Sequence, residues 1–231
     1  MFDEMPDLSS PVPLFPLPNV VLLPGVTLPL QIFEPRYRAM VRDTLKGDRL
    51  IAMALLEPGF EPYYHTHIAP IHPVVCVGRI RDQVKLPDGR YLINLVGVCP
   101  ALVKYEEQEG DYRCAFLEAL PRDGGGIDAD GEYSAREAIR RLVETDALDA
   151  VDGIATCRKT LSKSVSLDDL IDVVAGRLLP TEAVEVRQRL LAETNPLERA
   201  STLIGELRTL LKSIEINSKQ RNDWPRFGSM N

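Results

Sequence analysis

The segment Pro121-Arg-Asp-Gly-Gly-Gly-Ile-Asp-Ala-Asp-Gly131 divides the chain into halves with different hydrophobic periods. Polar and rich in glycine, it cannot pack into a core. Before it, short apolar runs alternate with turn residues, as in strands. After it, apolar residues recur at helical spacing. The chain must therefore place a β-rich region first and helices second. With 231 residues, 45% of them hydrophobic and 26% charged, it can bury a real core.

In the first half, Arg49–Leu56, Val74–Ile80, Arg90–Val96 and Tyr112–Leu120 read as strands. Pro87-Asp88-Gly89 supplies turn chemistry between the second and third of these runs. Proline presets φ, aspartate braces the turn and glycine accepts positive φ. Gly97 and Pro100 interrupt the next run, as a bulge or bend would. Upstream, apolar runs between Phe15 and Ile32 alternate with prolines and are split by Pro24-Gly25. A helix opens at Pro35, where a missing N–H costs nothing. Tyr37, Met40, Val41 and Leu45 form its apolar stripe, and Gly47 is expected to stop it. Short strands around one inserted helix point to a small barrel.

In the second half, Ser134 with Glu137 reads as a capping box, with Ile139, Leu142 and Val143 as that helix's apolar face. Ser166 with Asp169 opens another helix, striped by Leu167, Leu170, Ile171, Val174 and Leu178 and ended by Pro180. Thr181–Glu193 reads as a shorter helix. Asn195-Pro196-Leu197-Glu198 starts the last one, striped by Leu197, Ala200, Ile204, Leu207, Leu211 and Ile214. Several helices with short connections make a bundle. Residues 218–231 are polar and unpatterned, as in a loose tail, and Trp224-Pro-Arg-Phe227 within them is the one tryptophan context.

The chemistry of common enzymes is missing. There is no Gly-x4-Gly-Lys-Ser/Thr loop, no Ser-x-x-Lys and no Gly-x-Ser-x-Gly. Cys76, Cys99, Cys114 and Cys157 are too far apart for a Cys-x-x-Cys site, and three of them lie among apolar strand residues, as buried reduced thiols do. His65, His67 and His72 fall together, and histidines two apart share a strand face. A metal site there would have to recruit further ligands such as Glu61 or Cys76, so a polar loop is the preferred reading. Asp128-Ala-Asp130-Gly131 with Glu137 resembles part of a calcium loop, but its first ligand position is Gly126, which has no side chain. No cofactor is expected.

The binding candidates are aromatic. Phe60, Tyr63 and Tyr64 in Pro58–Tyr64 could grip apolar segments of unfolded chains or pin the loop to its own barrel. Arg36, next to Tyr37, could line a groove or pair with Glu34, and the pairing is preferred. A net charge of −7 counts against phosphate-backbone binding as the main role. The N-terminus lacks a basic-then-apolar leader, and no apolar run approaches the ~18 residues of a membrane span. The cytoplasm is the expected location, with no membrane partner.

Taken in order, Phe15-Pro-Leu-Pro-Asn-Val-Val-Leu-Leu-Pro-Gly-Val-Thr-Leu-Pro-Leu-Gln-Ile-Phe-Glu-Pro-Arg-Tyr-Arg38, Val77-Gly-Arg-Ile80, Leu86-Pro-Asp-Gly89 and Val96-Gly-Val98 resemble the N-terminal substrate-binding domain of the Lon proteases. The helical segment adds Leu178-Leu179-Pro180 and Thr194-Asn-Pro-Leu-Glu-Arg199. Phe33-Glu-Pro-Arg-Tyr-Arg38 looks most like stand-alone family members, which lack ATPase and peptidase domains. The resemblance implies an α+β fold: a PUA-like β-barrel with one inserted helix at 10–122, then a helical bundle at 130–217. It implies a non-enzymatic module that binds polypeptide, with a protease or chaperone acting in trans. PUA-like barrels also bind RNA, so an RNA-associated role is the runner-up, and a metal-dependent hydrolase at the histidines is a third.

Overall fold

A computed structural model describes residues 5–66, 68–107, 110–122, 129–163 and 165–222. His67, Asp128 and the Trp224–Phe227 segment lie outside the described residues. The order is β1 (Val12–Leu17), β2 (Thr27–Ile32), α1 (Pro35–Thr44), β3 (Leu50–Leu55), β4 (Val74–Lys85), β5 (Tyr91–Glu107) and β6 (Cys114–Ala119). The helices α2 (Ala129–Val143), α3 (Ile154–Leu161), α4 (Leu167–Leu178), α5 (Val184–Ala192) and α6 (Pro196–Asn222) follow. The fold is α+β, strands first and helices second, with α1 inserted among the strands.

The six strands form one mixed sheet in the order β2-β5-β4-β3-β1-β6. β6 pairs with both β1 and β5, so the pairings of β1, β3, β4, β5 and β6 return on themselves in a ring, with β2 added beside β5. All pairs are antiparallel except β1 with β3. Alternation along the strands feeds two cores. Leu50, Ala52 and Ala54 of β3 join Val12, Leu14, Val75, Val77, Cys99, Ala101 and Ala115 in one cluster. Ile51, Met53 and Leu55 point the other way, to a larger cluster shared with α1 and the helical region. β3 is therefore buried at every residue, and its period-2 signal vanishes into a continuous apolar run. The first cluster is rich in alanine, the small side chain that lets a ring of so few strands close.

The hairpin between β4 and β5 turns as its residues dictate. The Gly89 amide donates to the Leu86 carbonyl at 2.9 Å, the Arg90 amide donates to Asp88 Oδ1 at 3.0 Å, and Gly89 has φ of 83°. The bulge falls on Val98: Val77 pairs with Cys99, but Gly78 pairs with Gly97. Pro100 does not end β5, because its neighbours' pairing continues through it.

Among the helices, Ser166 caps α4 by accepting from the Asp169 amide at 3.0 Å. Asn195 Oδ1 accepts from the Leu197 and Glu198 amides at 2.9 and 3.3 Å, opening α6. Three expectations are corrected. The Ser134/Glu137 pair is not a cap, because α2 already runs from Ala129 and Asp130 and Glu132 suit its first turn. Glu137 instead pairs along the helix with Arg141 at 3.1 Å. Gly47 is not the residue that ends α1 with positive φ; the chain leaves through a short turn, and Arg49 takes the left-handed conformation at φ 61°. The last helix passes residue 217 and continues to Asn222. The sequence reading had no counterpart for α3, an eight-residue helix that starts after a left-handed Gly153.

The helices dock on the sheet through the loop between β1 and β2. Val21, Leu22, Leu23 and Val26 are buried in the larger core together with Ile171, Val174 and Leu178 of α4. Gly176 seats α4 there: a Cβ on it would lie 2.3 Å from a Val26 methyl. Gln188 of α5 donates to the Val74 carbonyl of β4 at 2.8 Å. A buried network closes the helical region. Arg199 on α6 pairs with Asp168 and Asp172 on α4 and donates to the Leu190 carbonyl of α5 at 2.9 Å. Arg122, just after β6, pairs with Asp172 at 2.6 Å and reaches the Leu190 and Leu191 carbonyls at 3.2 and 2.6 Å.

The thiols are held in the protonated form. No disulfide forms, and burial pushes Cys99, Cys114 and Cys157 up to about 11 and Cys76 well above the usual thiol range. A thiolate is the nucleophile, so folded protein at pH 7 is expected to react with a disulfide reagent far more slowly than unfolded protein, in which all four cysteines titrate. Rapid stoichiometric labelling of the native chain would contradict this placement.

Candidate functional site: a cleft beside an aromatic loop

Residues 56–73 form a long loop whose base is tied shut. The Leu56–Ile71 bridge, the Glu57 amide on the Pro70 carbonyl (3.0 Å) and the His72 amide on the Leu55 carbonyl (2.8 Å) hold it. Two arginines brace its far side. Arg113, buried and paired with Glu106 at 2.6 Å, donates to the Ala69 carbonyl at 2.7 Å. Arg36 donates to the Tyr64 carbonyl at 3.2 Å and pairs with Glu34 at 3.0 Å. Its guanidinium lies 4.3 Å from the Tyr37 ring centroid and 5.3 Å from that of Tyr64. At the tip, Pro62 helps set a single 3-10 turn, Glu61–Tyr63.

This bracing separates the candidate residues. Tyr37 is buried, its ring tilted against that of Phe15 with centroids 4.3 Å apart and its hydroxyl donating to the Pro16 carbonyl at 3.3 Å. Arg36 sits in the brace, with Tyr64 half-buried against it. Phe60 and Tyr63 stay on the surface, 38% and 54% exposed, with ring centroids 6.4 Å apart. Ile68, 85% exposed on the same loop, joins them as an apolar side chain that the sequence reading did not single out. His65 and His72 are on the loop as well. Among the described residues no group of three or more histidine, cysteine or carboxylate side chains is placed to hold a metal ion.

Behind the loop tip is a cleft of about 470 Å³ between the loop and α5. Leu55, Leu56 and Val74 form the sheet side, Pro58 and Glu61 the loop side, and Val184, Gln188 and Ala192 the helix side. The backbone amides of Glu61 itself and of Gly59 hold the Glu61 carboxyl below its usual range, so the loop lip is anionic at neutral pH. Glu185 adds a second carboxylate, and Arg189, 4.0 Å from Glu206, adds a cation. The arrangement is an apolar trough with charged lips; the exposed Phe60 and Tyr63 belong to the same loop but do not line the trough. Its helix wall escaped sequence reasoning because Val184, Gln188 and Ala192 meet Leu55 only through the docking of α5 on β4.

A family model described as the ATP-dependent protease La (LON) substrate-binding domain matches residues 11–209. The chain belongs to that family. The Lon substrate-binding match includes both the sheet and the helices, and it is not a match to a catalytic domain. The Lon protease of Rickettsia conorii is 26% identical over 217 residues, covering 90% of this chain and 26% of that protein. Lon protease 2 of Syntrophobacter fumaroxidans is 32% identical over 116 residues, covering 50% of this chain and 14% of that protein. The chain thus spans only about a quarter or less of the length of these relatives. Among solved structures, the Lon N-terminal domain protein of Xanthomonas campestris aligns with a TM-score of 0.58 at 22% identity, over 85% of this chain and 98% of that one. The N-terminal domain of the Mycobacterium avium complex Lon protease aligns with a TM-score of 0.66 at 15% identity, over 86% and 98%. These likenesses establish the shared fold. No described helix is long and apolar enough to cross a membrane.

Proposed function

We propose that this chain is a non-enzymatic module that binds extended, apolar polypeptide segments in the cleft between the 56–73 loop and α5. The observation that carries this reading is the apolar trough of about 470 Å³, one wall of which, at Pro58 and Glu61, belongs to the loop that exposes Phe60 and Tyr63. Aromatic rings offer large contact area with few rotors to freeze, which is why they dominate binding hot spots. The bracing by Arg36 and Arg113 holds the loop in place before a client arrives, which lowers the ordering cost of association. Family membership supports polypeptide as the ligand class. The ring of strand pairings supports reading the sheet as the PUA-like barrel of that family. Clients would be unfolded or degradation-bound chains, passed to a protease or chaperone acting in trans in the cytoplasm.

The test is retention of unfolded casein and binding to peptide arrays. Phe60→Ala/Tyr63→Ala is expected to weaken binding about tenfold or more, since each lost anchor removes ~1–2 kcal/mol. Both side chains are exposed, so the change in folding stability should stay within about 0.5 kcal/mol. Val184→Glu, which puts a charge into the trough wall, is expected to act in the same direction. Binding that ignores all three substitutions would move the groove elsewhere, and absence of binding to any polypeptide would overturn the reading.

A further inference from the structure

We propose that the segment at the end of α6 and beyond it, which carries Trp224-Pro-Arg-Phe227, seats in the cleft of a second copy of this chain and competes there with clients, a role that rests on the cleft being the polypeptide site. The cleft is apolar along its walls, at Leu55, Leu56, Val74, Val184 and Ala192, and it carries Glu61 on the loop side and Glu185 on the helix side. Neither carboxylate has an ion-pair partner among the described residues. Arg189, the one arginine of the lining, already faces Glu206 at 4.0 Å. The site therefore suits a segment that combines apolar rings with positive charge.

Residues 218–231 have that chemistry. They hold Lys219, Arg221 and Arg226 against one acid, Asp223, in a chain whose net charge is −7. They also hold Phe227 and the single tryptophan of the chain, Trp224. Tryptophan and arginine are among the residue types most enriched at binding hot spots, and opposite charges across a contact select the partner and its orientation. The length of α6 decides whose cleft is filled. Arg189 of the cleft meets Glu206, and from Glu206 the helix runs on to Asn222, about 24 Å further. Trp224 is two positions beyond Asn222, a reach of at most ~7 Å. While α6 stays helical, Trp224 therefore cannot return to the level of Glu206, and the cleft open to it is that of another copy. Such a contact is head-to-tail, or reciprocal when each segment enters the other copy's cleft.

The experiment is sedimentation velocity of the full chain and of variants that fail in different halves of the contact. Wild type is expected to self-associate with a dissociation constant on the order of 10–100 µM. Trp224→Ala/Phe227→Ala keeps the cleft and loses the occupant, whereas Val184→Glu keeps the occupant and spoils the cleft. Each variant alone should sediment as a monomer, and an equimolar mixture of the two should form the complex again, since one supplies the cleft and the other the segment. Ala192→Glu, at an exposed position on the same wall, is a second cleft variant, and far-UV circular dichroism checks that each variant folds. Trp224→Ala/Phe227→Ala should also bind unfolded casein at least about twofold more tightly than wild type at about 100 µM chain, because its cleft is no longer shared. A wild type that stays monomeric to about 500 µM, self-association that ignores the Trp224 and Phe227 substitutions, or a mixture that forms no complex would overturn the proposal. Casein binding that is lost in Val184→Glu but equal in wild type and Trp224→Ala/Phe227→Ala would do so as well, while keeping the cleft as the client site.

Discussion

Replacing Arg199 with alanine is expected to lower the free energy of unfolding by about 3–5 kcal/mol, the range for removing one partner of a buried ion pair. Arg199 is fully buried and joins three helices: the two α4 carboxylates, the Leu190 carbonyl near the end of α5, and its own α6 backbone. Its removal strands Asp168 with no other described ion pair and leaves Asp172 with Arg122 alone. Burial already pushes the Asp172 carboxyl upward, while Arg122 and Arg199 pull it back down. Loss of one guanidinium therefore tips that buried carboxyl toward protonation. Arg199→Lys should recover only part of the loss, since an ammonium cannot present a planar fork to two carboxylates and a carbonyl at once. Urea unfolding followed by far-UV circular dichroism measures both variants. A loss below about 1 kcal/mol for Arg199→Ala, the scale of a surface pair, would show that the network does not hold the helices together.

Gly97→Ala is expected to destabilise the chain by about 3 kcal/mol, the upper part of the usual overpacking range. A Cβ at Gly97 would lie 2.2 Å from the Leu23 carbonyl oxygen, and that neighbour is backbone, which cannot rotate aside. The same residue donates its amide to the Val26 carbonyl at 2.9 Å and accepts from the Gly25 amide at 2.9 Å. The added methyl therefore pushes the 23–26 segment off β5. That segment carries Val26, on which α4 rests through Gly176, so the damage should spread to the docking of the helices. Gly205→Ala is the control. Nothing lies within 4 Å of a Cβ there, and alanine favours a helix, so that variant should be neutral or slightly more stable. Equal stability of the Gly97 variant and wild type would mean that the β1–β2 loop is not pinned to the sheet as described.

Much of the fold was legible from local rules. Leu86-Pro-Asp-Gly89 turned, Ser166 and Asn195 capped, and Pro35 opened α1, because in each case a residue acts on its own backbone within a few positions. α3 escaped because eight residues opening at a left-handed glycine leave too few turns to show a period. Arg199 escaped for a different reason. It occupies the buried face of α6 beside Ala200, Leu203 and Leu207, yet an apolarity count assigns arginine to the solvent side. Counting by spacing alone would have placed it inward and prompted a search for its carboxylates.

The candidate site divides along the same line. Phe60, Tyr63 and Tyr64 were visible as an aromatic loop, but three rings in a row carry no information about which are braced inward. The contacts of Arg36 with Tyr64 decided that, across 28 positions of chain. That strands come first and helices second, the Leu86–Gly89 turn and the Ser166 and Asn195 caps followed from the sequence by itself, since propensity and hydrophobic period act over a few residues. The cleft wall on α5 and the arginine–aspartate network were decided only by the tertiary structure. Each depends on side chains brought together by packing, and no local period records which faces will meet.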